Sequence, residues 1–378
     1  MSSSPMPHPS TARSGHRVSA GGLFELLEQL PDPRRRRGVR HRLVGLVAVA
    51  LTAVLAGARS YAAIGEWAAD LTPAQRLRVG LTREHPPDAS TFRRVLTRLD
   101  AAVVDRLIGA FLWTRTATVA GRRVIAIDGK TVRGARTPAI AAPHLIAVFD
   151  HASGTVLGQL ATAVKSNEIP TVQTILAWFD LTGVVVTVDA MHTQTDTAET
   201  IIAGGGDYVF TVKRNQPTLH AACKRLPWSQ VPATTTLQRG HGRRVRRTTK
   251  VVTAPGWISF AGAAQVAQIR RTVTRAGKTT VEVVYLITSA DHHAAPPATL
   301  AGWVQGHWGI ENRLHWVRDV TYDEDRSQVR TGSGPLMMAT LRNLAISLLR
   351  MTGTANIAAT LRHHARQPDR PINLLLTS

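Results

Sequence analysis

Three acidic residues stand where acids serve folding badly. Asp128 closes the apolar run Val124-Ile125-Ala126-Ile127, Asp189 closes a second, Val184-Val185-Val186-Thr187-Val188, and Glu311 lies inside the Trp-rich stretch His307-Trp308-Gly309-Ile310-Glu311-Asn312. Carboxylates brought together at strand ends repel one another unless a cation lies between them. Mg²⁺ suits such a place, because it takes hard oxygen ligands and keeps several waters. Two such ions about 4 Å apart can hold the attacking and leaving oxygens of an in-line phosphoryl transfer. Charge selects the substrate. The 378 residues include 46 Lys and Arg against 25 Asp and Glu, a net charge of +21. That excess points to a polyanion, double-stranded DNA first. A codon preference for Arg would explain Arg over Lys, not the surplus itself.

The elements that must position the acids follow from periodicity. Val124–Asp128 reads as a strand, followed by strands at 144–150 and 155–164 joined by the turn His151-Ala152-Ser153-Gly154. A helix over 169–179, a strand over 184–189, a short helix over 196–203 and a strand over 208–213 complete a β-β-β-α-β-α-β order. That is a mixed α/β sheet of the ribonuclease H-like plan, which sets the first and fourth strands, and with them Asp128 and Asp189, side by side. Residues 217–297 interrupt it as a β-rich insertion. Its basic run Arg239-Gly240-His241-Gly242-Arg243-Arg244-Val245-Arg246-Arg247 is either a DNA contact or a solvated loop. A helix then begins near Thr299 and delivers Glu311.

On an α-helix His307, Glu311, His315 and Arg318 share one face, a carboxylate among cationic groups that could meet phosphate. Trp308 and Trp316 occupy another strip and read as core, with stacking on an unpaired base as the other reading. A zinc site of His307, Glu311 and His315 would spread its ligands over two turns without help from cysteine. Downstream, Asp319, Asp323, Glu324 and Asp325 read as a solvated helix end or as partners of Arg326 and Arg330.

Residues 21–118 read as a helical DNA-binding domain, preceded by a Ser/Pro-rich tail over 1–20. The apolar stretch Leu43–Ala58 follows a run of arginines and imitates a signal segment, yet it lies deep in the chain and is shorter than a spanning helix. It reads as a buried core helix. The loop 85–90 ends in a capping residue and leads into Thr91–Leu99, with Phe92, Val95, Leu96 and Leu99 inward and Arg93, Arg94 and Arg98 outward. Such a helix suits a DNA groove, and equally an ordinary solvated face. Catalytic core is expected over 119–216 and 298–352, and a tail over 353–378. Cys223 is the only cysteine. No intrachain disulfide is possible, which fits a reducing cytoplasm and a nucleoid-associated protein.

Five ordered stretches carry a resemblance: Ala126-Ile127-Asp128-Gly129-Lys130-Thr131-Val132-Arg133-Gly134, Lys165-Ser166-Asn167-Glu168-Ile169, Val188-Asp189-Ala190-Met191-His192-Thr193-Gln194, Val212-Lys213-Arg214-Asn215-Gln216, and His307 to Trp316. Together with Leu30-Pro31-Asp32-Pro33-Arg34 near the N-terminus, they resemble the H-repeat-associated branch of the insertion-sequence DDE transposases over nearly all of residues 22–350. The resemblance implies metal-dependent strand cleavage and transfer at transposon ends. Asp128, Asp189 and Glu311 would bind two Mg²⁺, with Mn²⁺ able to substitute. It also implies double-stranded DNA as partner, held by Arg93, Arg94, Lys130, Arg133, Lys213, Arg243, Arg244, His307 and Arg318. Two ends suggest a homodimer, and no membrane is involved. Relatives often carry Tyr, Arg and Lys around the last Glu where this chain has Val304, His307 and Arg318. Two alternatives stand beside this reading. One is a non-catalytic DNA-binding protein derived from a transposase, excluded by Mg²⁺-dependent cleavage. The other is a structure-specific nuclease on the same fold, revealed by cleavage of sequence-scrambled DNA.

Overall fold

The computed structural model describes residues 22–37, 39–116, 118, 121–162, 168–240 and 242–378. The stretch 1–20 expected as a tail lies outside them, as do Lys165, Ser166 and Asn167 of one motif and His241 of the basic run. Six helices come first: α1 (Leu23–Glu28), α2 (Leu43–Leu55), α3 (Tyr61–Asp70), α4 (Pro73–Arg78), α5 (Ala89–Leu96) and α6 (Ala101–Arg115). Every residue of α2 is buried. A helix apolar all round can lie only in a core or in lipid. Here α1, α3 and a late helix enclose it, and no helix among the described residues is long and apolar enough to cross a membrane. The α5 start is capped by Asp88, whose side chain accepts from the Thr91 N–H at 2.8 Å. The cap is two residues earlier than the loop's last residue, Ser90, because Asp88 already has the extended backbone an N-cap needs. Phe92, Val95, Leu96 and Leu99 are buried, and Arg93, Arg94 and Arg98 are exposed.

The strands then follow in the expected order: β1 (Arg123–Thr131), β2 (His144–Asp150), β3 (Val156–Thr162), helix α7 (Glu168–Leu176), β4 (Val184–Val188), α8 (Thr195–Ala203) and β5 (Asp207–Val212). After α9 (Pro217–Lys224) come β6 (Thr234–Gly240), β7 (Arg243–Thr253), β8 (Gln265–Arg275) and β9 (Lys278–Thr288). All nine belong to one sheet, in the order β3-β2-β1-β4-β5-β9-β8-β7-β6. Strand β1 runs antiparallel to β2 and parallel to β4, and β4 is parallel to β5, which is the ribonuclease H-like arrangement. The insertion is β-rich, but it is no separate layer: β9 pairs with β5 and prolongs the core sheet. The β8–β9 turn takes positive φ at Ala276 (46°) and Gly277 (76°), the backbone of a tight hairpin.

Helix α10 (Pro297–His307) crosses the sheet, and α11 (Gly334–Met351), buried along most of its length, packs on α2, α6 and β3. One apolar cluster runs from the first helices through β1–β5 to the last ones. Residues 353–378, expected as a tail, form α12 (Ile357–Ala365) and α13 (Asp369–Leu376). Ile372 and Leu375 are fully buried, Asp369 meets Arg78 at 2.7 Å, and the Leu23 N–H donates to the Ser378 carbonyl at 3.0 Å. Their apolar spacing is short and weak in isolation, and packing supports them, α13 against α1, α2 and α4.

Candidate active site

The β1–β4 register aligns Ile127 with Val188. The next residues along the chain are Asp128, still in β1, and Asp189, one past the end of β4, so the pairing brings these acids to the same end of the two strands. Glu311 reaches the same place from the segment after α10. The side-chain ligand atoms of Asp128, Glu311 and His315 all lie within 4.8 Å of one another. His315 Nδ1 stands 3.6 Å from Asp128 Oδ2 and 3.5 Å from Glu311 Oε2, and its ring is buried. The sequence placed His315 on the Glu311 face as a phosphate neighbour or a zinc ligand, and not as a neighbour of Asp128. Its i+4 spacing from Glu311 was the available signal.

Electrostatics mark the crowding. Burial, then the nearby Glu311 charge, pushes the Asp128 carboxyl up to about 8. Glu311, half exposed, is held down to about 2, chiefly by its hydrogen bond with His315. Two carboxyls this close titrate as a coupled pair, one pushed up and the other held down. A divalent cation would relieve this, and two carboxylates with one imidazole fit one. Asp189 stands outside that tight group. Burial works to raise it, yet the Ala190 backbone N–H and Lys213 hold it below the usual carboxylate range, with Lys213 Nζ at 3.1 Å.

The motif after β5 fixes the Asp189 turn. Asn215 Nδ2 donates to the Ala190 carbonyl and Gln216 Nε2 to the Thr193 carbonyl, each at 2.8 Å. Below Asp189, the Thr187 hydroxyl donates to the Ile125 carbonyl at 3.1 Å. It faces His307 Nδ1 at 3.0 Å and His151 Nε2 at 3.2 Å. His307 therefore points to the sheet and leaves the zinc set considered above.

The Glu311 segment departs from the expected α-helix. After α10 the chain winds as π-helix over Ile310–His315 and Val317–Thr321. Each residue of a π-turn rotates the chain less than an α-residue does, so i+4 stays near Glu311 but i+7 no longer returns to its face. Arg318, expected to contact DNA, is consequently fully buried. It pairs with Glu324 at 2.7 Å, and Glu324 pairs again with Arg342 at 2.9 Å. Glu324 thus partners Arg318 and Arg342 in place of Arg326 and Arg330. Lys130 is buried and paired with Asp319. Arg133 is exposed near Asp325, and Arg243 and Arg244 are exposed on the insertion. Trp308 and Trp316, read as core, are 60% and 54% exposed.

The family model described as "Transposase DDE domain" matches residues 120–348, and that described as "DDE_Tnp_1-associated" matches residues 24–112. The chain is 31% identical to YbfL of Escherichia coli K12 over 375 residues, covering 93% of this chain and 96% of that protein. It is 30% identical to "H repeat-associated putative transposase YhhI" of the same organism, again over 93% of this chain and 96% of the relative. A cryo-electron microscopy structure of a piggyBac transposase synaptic complex with hairpin DNA aligns over 94% of this chain and 81% of its own, at 10% identity and a TM-score of 0.44. The chain belongs to the DDE transposase family.

Proposed function

We propose that Asp128, Asp189 and Glu311 are the metal-binding acids of this transposase, with His315 completing the group. The supporting observation is that Asp128 from β1 and Glu311 from the π-helical segment share one cluster with His315, every ligand atom within 4.8 Å of the others. Mg²⁺ is the proposed ion, with Mn²⁺ able to replace it. Bound there, the metal pair would activate water or a 3′-hydroxyl and stabilise the leaving oxygen of a DNA phosphodiester. The protein's own groups supply position. Lys213 pairs with Asp189 at 3.1 Å, and once released it can meet a phosphate. Arg93 and Arg94 on α5 and Arg243 and Arg244 on the insertion face solvent, where they can bind the backbone of double-stranded end DNA. The exposed indoles of Trp308 and Trp316 offer stacking surfaces next to the acids. Two ends processed together call for a homodimer.

Asp128→Asn tests the reading. It should abolish Mg²⁺-dependent nicking of end DNA, while gel-shift affinity for the same DNA stays within about twofold. Nicking at wild-type rate would remove Asp128 from the site.

A further inference from the structure

Behind the acids lies a buried carboxylate that the reaction does not use. Glu168, at the start of α7, is 2% exposed. One of its oxygens is 2.9 Å from His144 Nε2 and the other 3.1 Å from His192 Nε2, and both rings are buried. Both are ion-pair distances, and on the other side of the His144 ring the Thr131 hydroxyl lies 2.8 Å from Nδ1. The bridge joins separate pieces of the site. His144 opens β2 opposite Thr131 of β1. His192 ends the single 3₁₀ turn, Ala190–His192, that follows Asp189. Between them passes Gly129: a β-carbon there would collide with the His144 ring and press on Glu168. The cluster is therefore packed directly beneath the backbone between Asp128 and Lys130.

Asp128 lies within β1 and is held by the sheet ladder through its partner Ala147. Asp189 lies one residue past the end of β4, where that ladder has stopped. Its backbone depends on the turn that follows. Burying a carboxylate costs several kcal/mol that apolar packing would avoid.

We propose that Glu168 is a positioning residue: through His192 and His144 it fixes the Asp189 turn against the strand of Asp128, and thereby sets the divalent-cation affinity of the site. This rests on the acids named above being metal ligands. Groups that orient ligands from behind typically change metal affinity by about 10- to 100-fold when altered.

The test is Mn²⁺ binding to the whole protein without DNA, followed by electron paramagnetic resonance of free Mn²⁺, with thermal melting recorded in parallel. Glu168→Gln keeps the shape but removes the carboxylate charge that faces the two imidazoles. Its Kd for Mn²⁺ should rise about tenfold or more, while its melting temperature stays within a few degrees and its affinity for end DNA is unchanged. A wild-type Kd in a folded Glu168→Gln protein overturns the proposal. Should that variant fail to fold, His192→Asn, which leaves the His144–Glu168 pair intact, carries the same expectation and the same refutation. Asp128→Asn is the control. If it binds Mn²⁺ as tightly as wild type, the metal-site reading fails and this inference falls with it, a result distinct from an unchanged Kd in Glu168→Gln alone.

Discussion

At the scale of residues, Asp128 is the group most altered by its setting. Its carboxyl titrates near 8 in the metal-free protein, through burial first and the Glu311 charge second. Metal binding requires the carboxylate, so it must expel that proton. Apparent Mg²⁺ affinity, measured calorimetrically, should therefore rise about tenfold per pH unit as pH approaches 8 and level off above it. Stability of the metal-free protein runs the other way. A carboxyl whose folded pKa lies above its unfolded value, near 4, contributes stability that is complete below about 4 and lost as pH rises through about 8. The melting temperature without metal should fall between pH 5 and 8.5, and saturating Mg²⁺ should flatten that fall. Asp105, fully buried and likewise raised to about 8, shares the window. The diagnostic quantity is thus the difference between wild type and Asp128→Asn, which should show the shallower slope. The pairing of Asp128 with Asp189 was legible in the sequence, since apolar runs ending in Asp and the strand order together dictate it. The approach of His315 to Asp128 was not, because it depends on where a helix from a distant part of the chain comes to rest.

At the scale of elements, the segment 310–321 decides what the last acid can do. The sequence shows a helix there and cannot show its pitch, because the residues that widen the turn are held by tertiary partners. Arg318 is turned into a fully buried set with Glu324 and Arg342, and Gln159 Oε1 accepts from Arg318 at 3.0 Å. That set ties the π-helical turns to β3 and α11. Burial works to raise Glu324, but Arg318 and Arg342 together hold it down to about 2. Removing one partner of a buried ion set leaves uncompensated charge, at about 3–5 kcal/mol. Glu324→Gln should lose that much in urea unfolding followed by circular dichroism. The variant should also lose Mg²⁺-dependent cleavage at temperatures where its sheet remains folded, since Glu311 would no longer be held in place. Glu324→Gln with wild-type stability would show that the set is not what anchors the segment.

At the scale of the whole molecule, two basic surfaces stand far apart in the chain, and among the described residues no acid pairs with their outward arginines. One is the outer side of α5, with Arg93, Arg94 and Arg98 exposed over a buried apolar stripe. The other is the outer end of the sheet. There Arg243 of β7 lies opposite Arg275 of β8, which in turn lies opposite Lys278 of β9, three cations in one row. Like charges set directly across a sheet destabilise it, and a polyanion laid over them removes that cost. Deleting a cation that binds one phosphate should lower the slope of log K against log salt by about one. Arg93→Ala with Arg94→Ala should therefore reduce the slope for end DNA by about two, and Arg243→Ala with Arg275→Ala by a similar amount. Because the two sets share no partner, the two effects should add. Arg318→Ala, whose side chain is buried, should leave the slope unchanged in whatever fraction stays folded. Fluorescence anisotropy titrations between low and moderate salt would read all three. An unchanged slope in the insertion pair would confine DNA binding to the helical side and make the cation row a structural feature of the sheet.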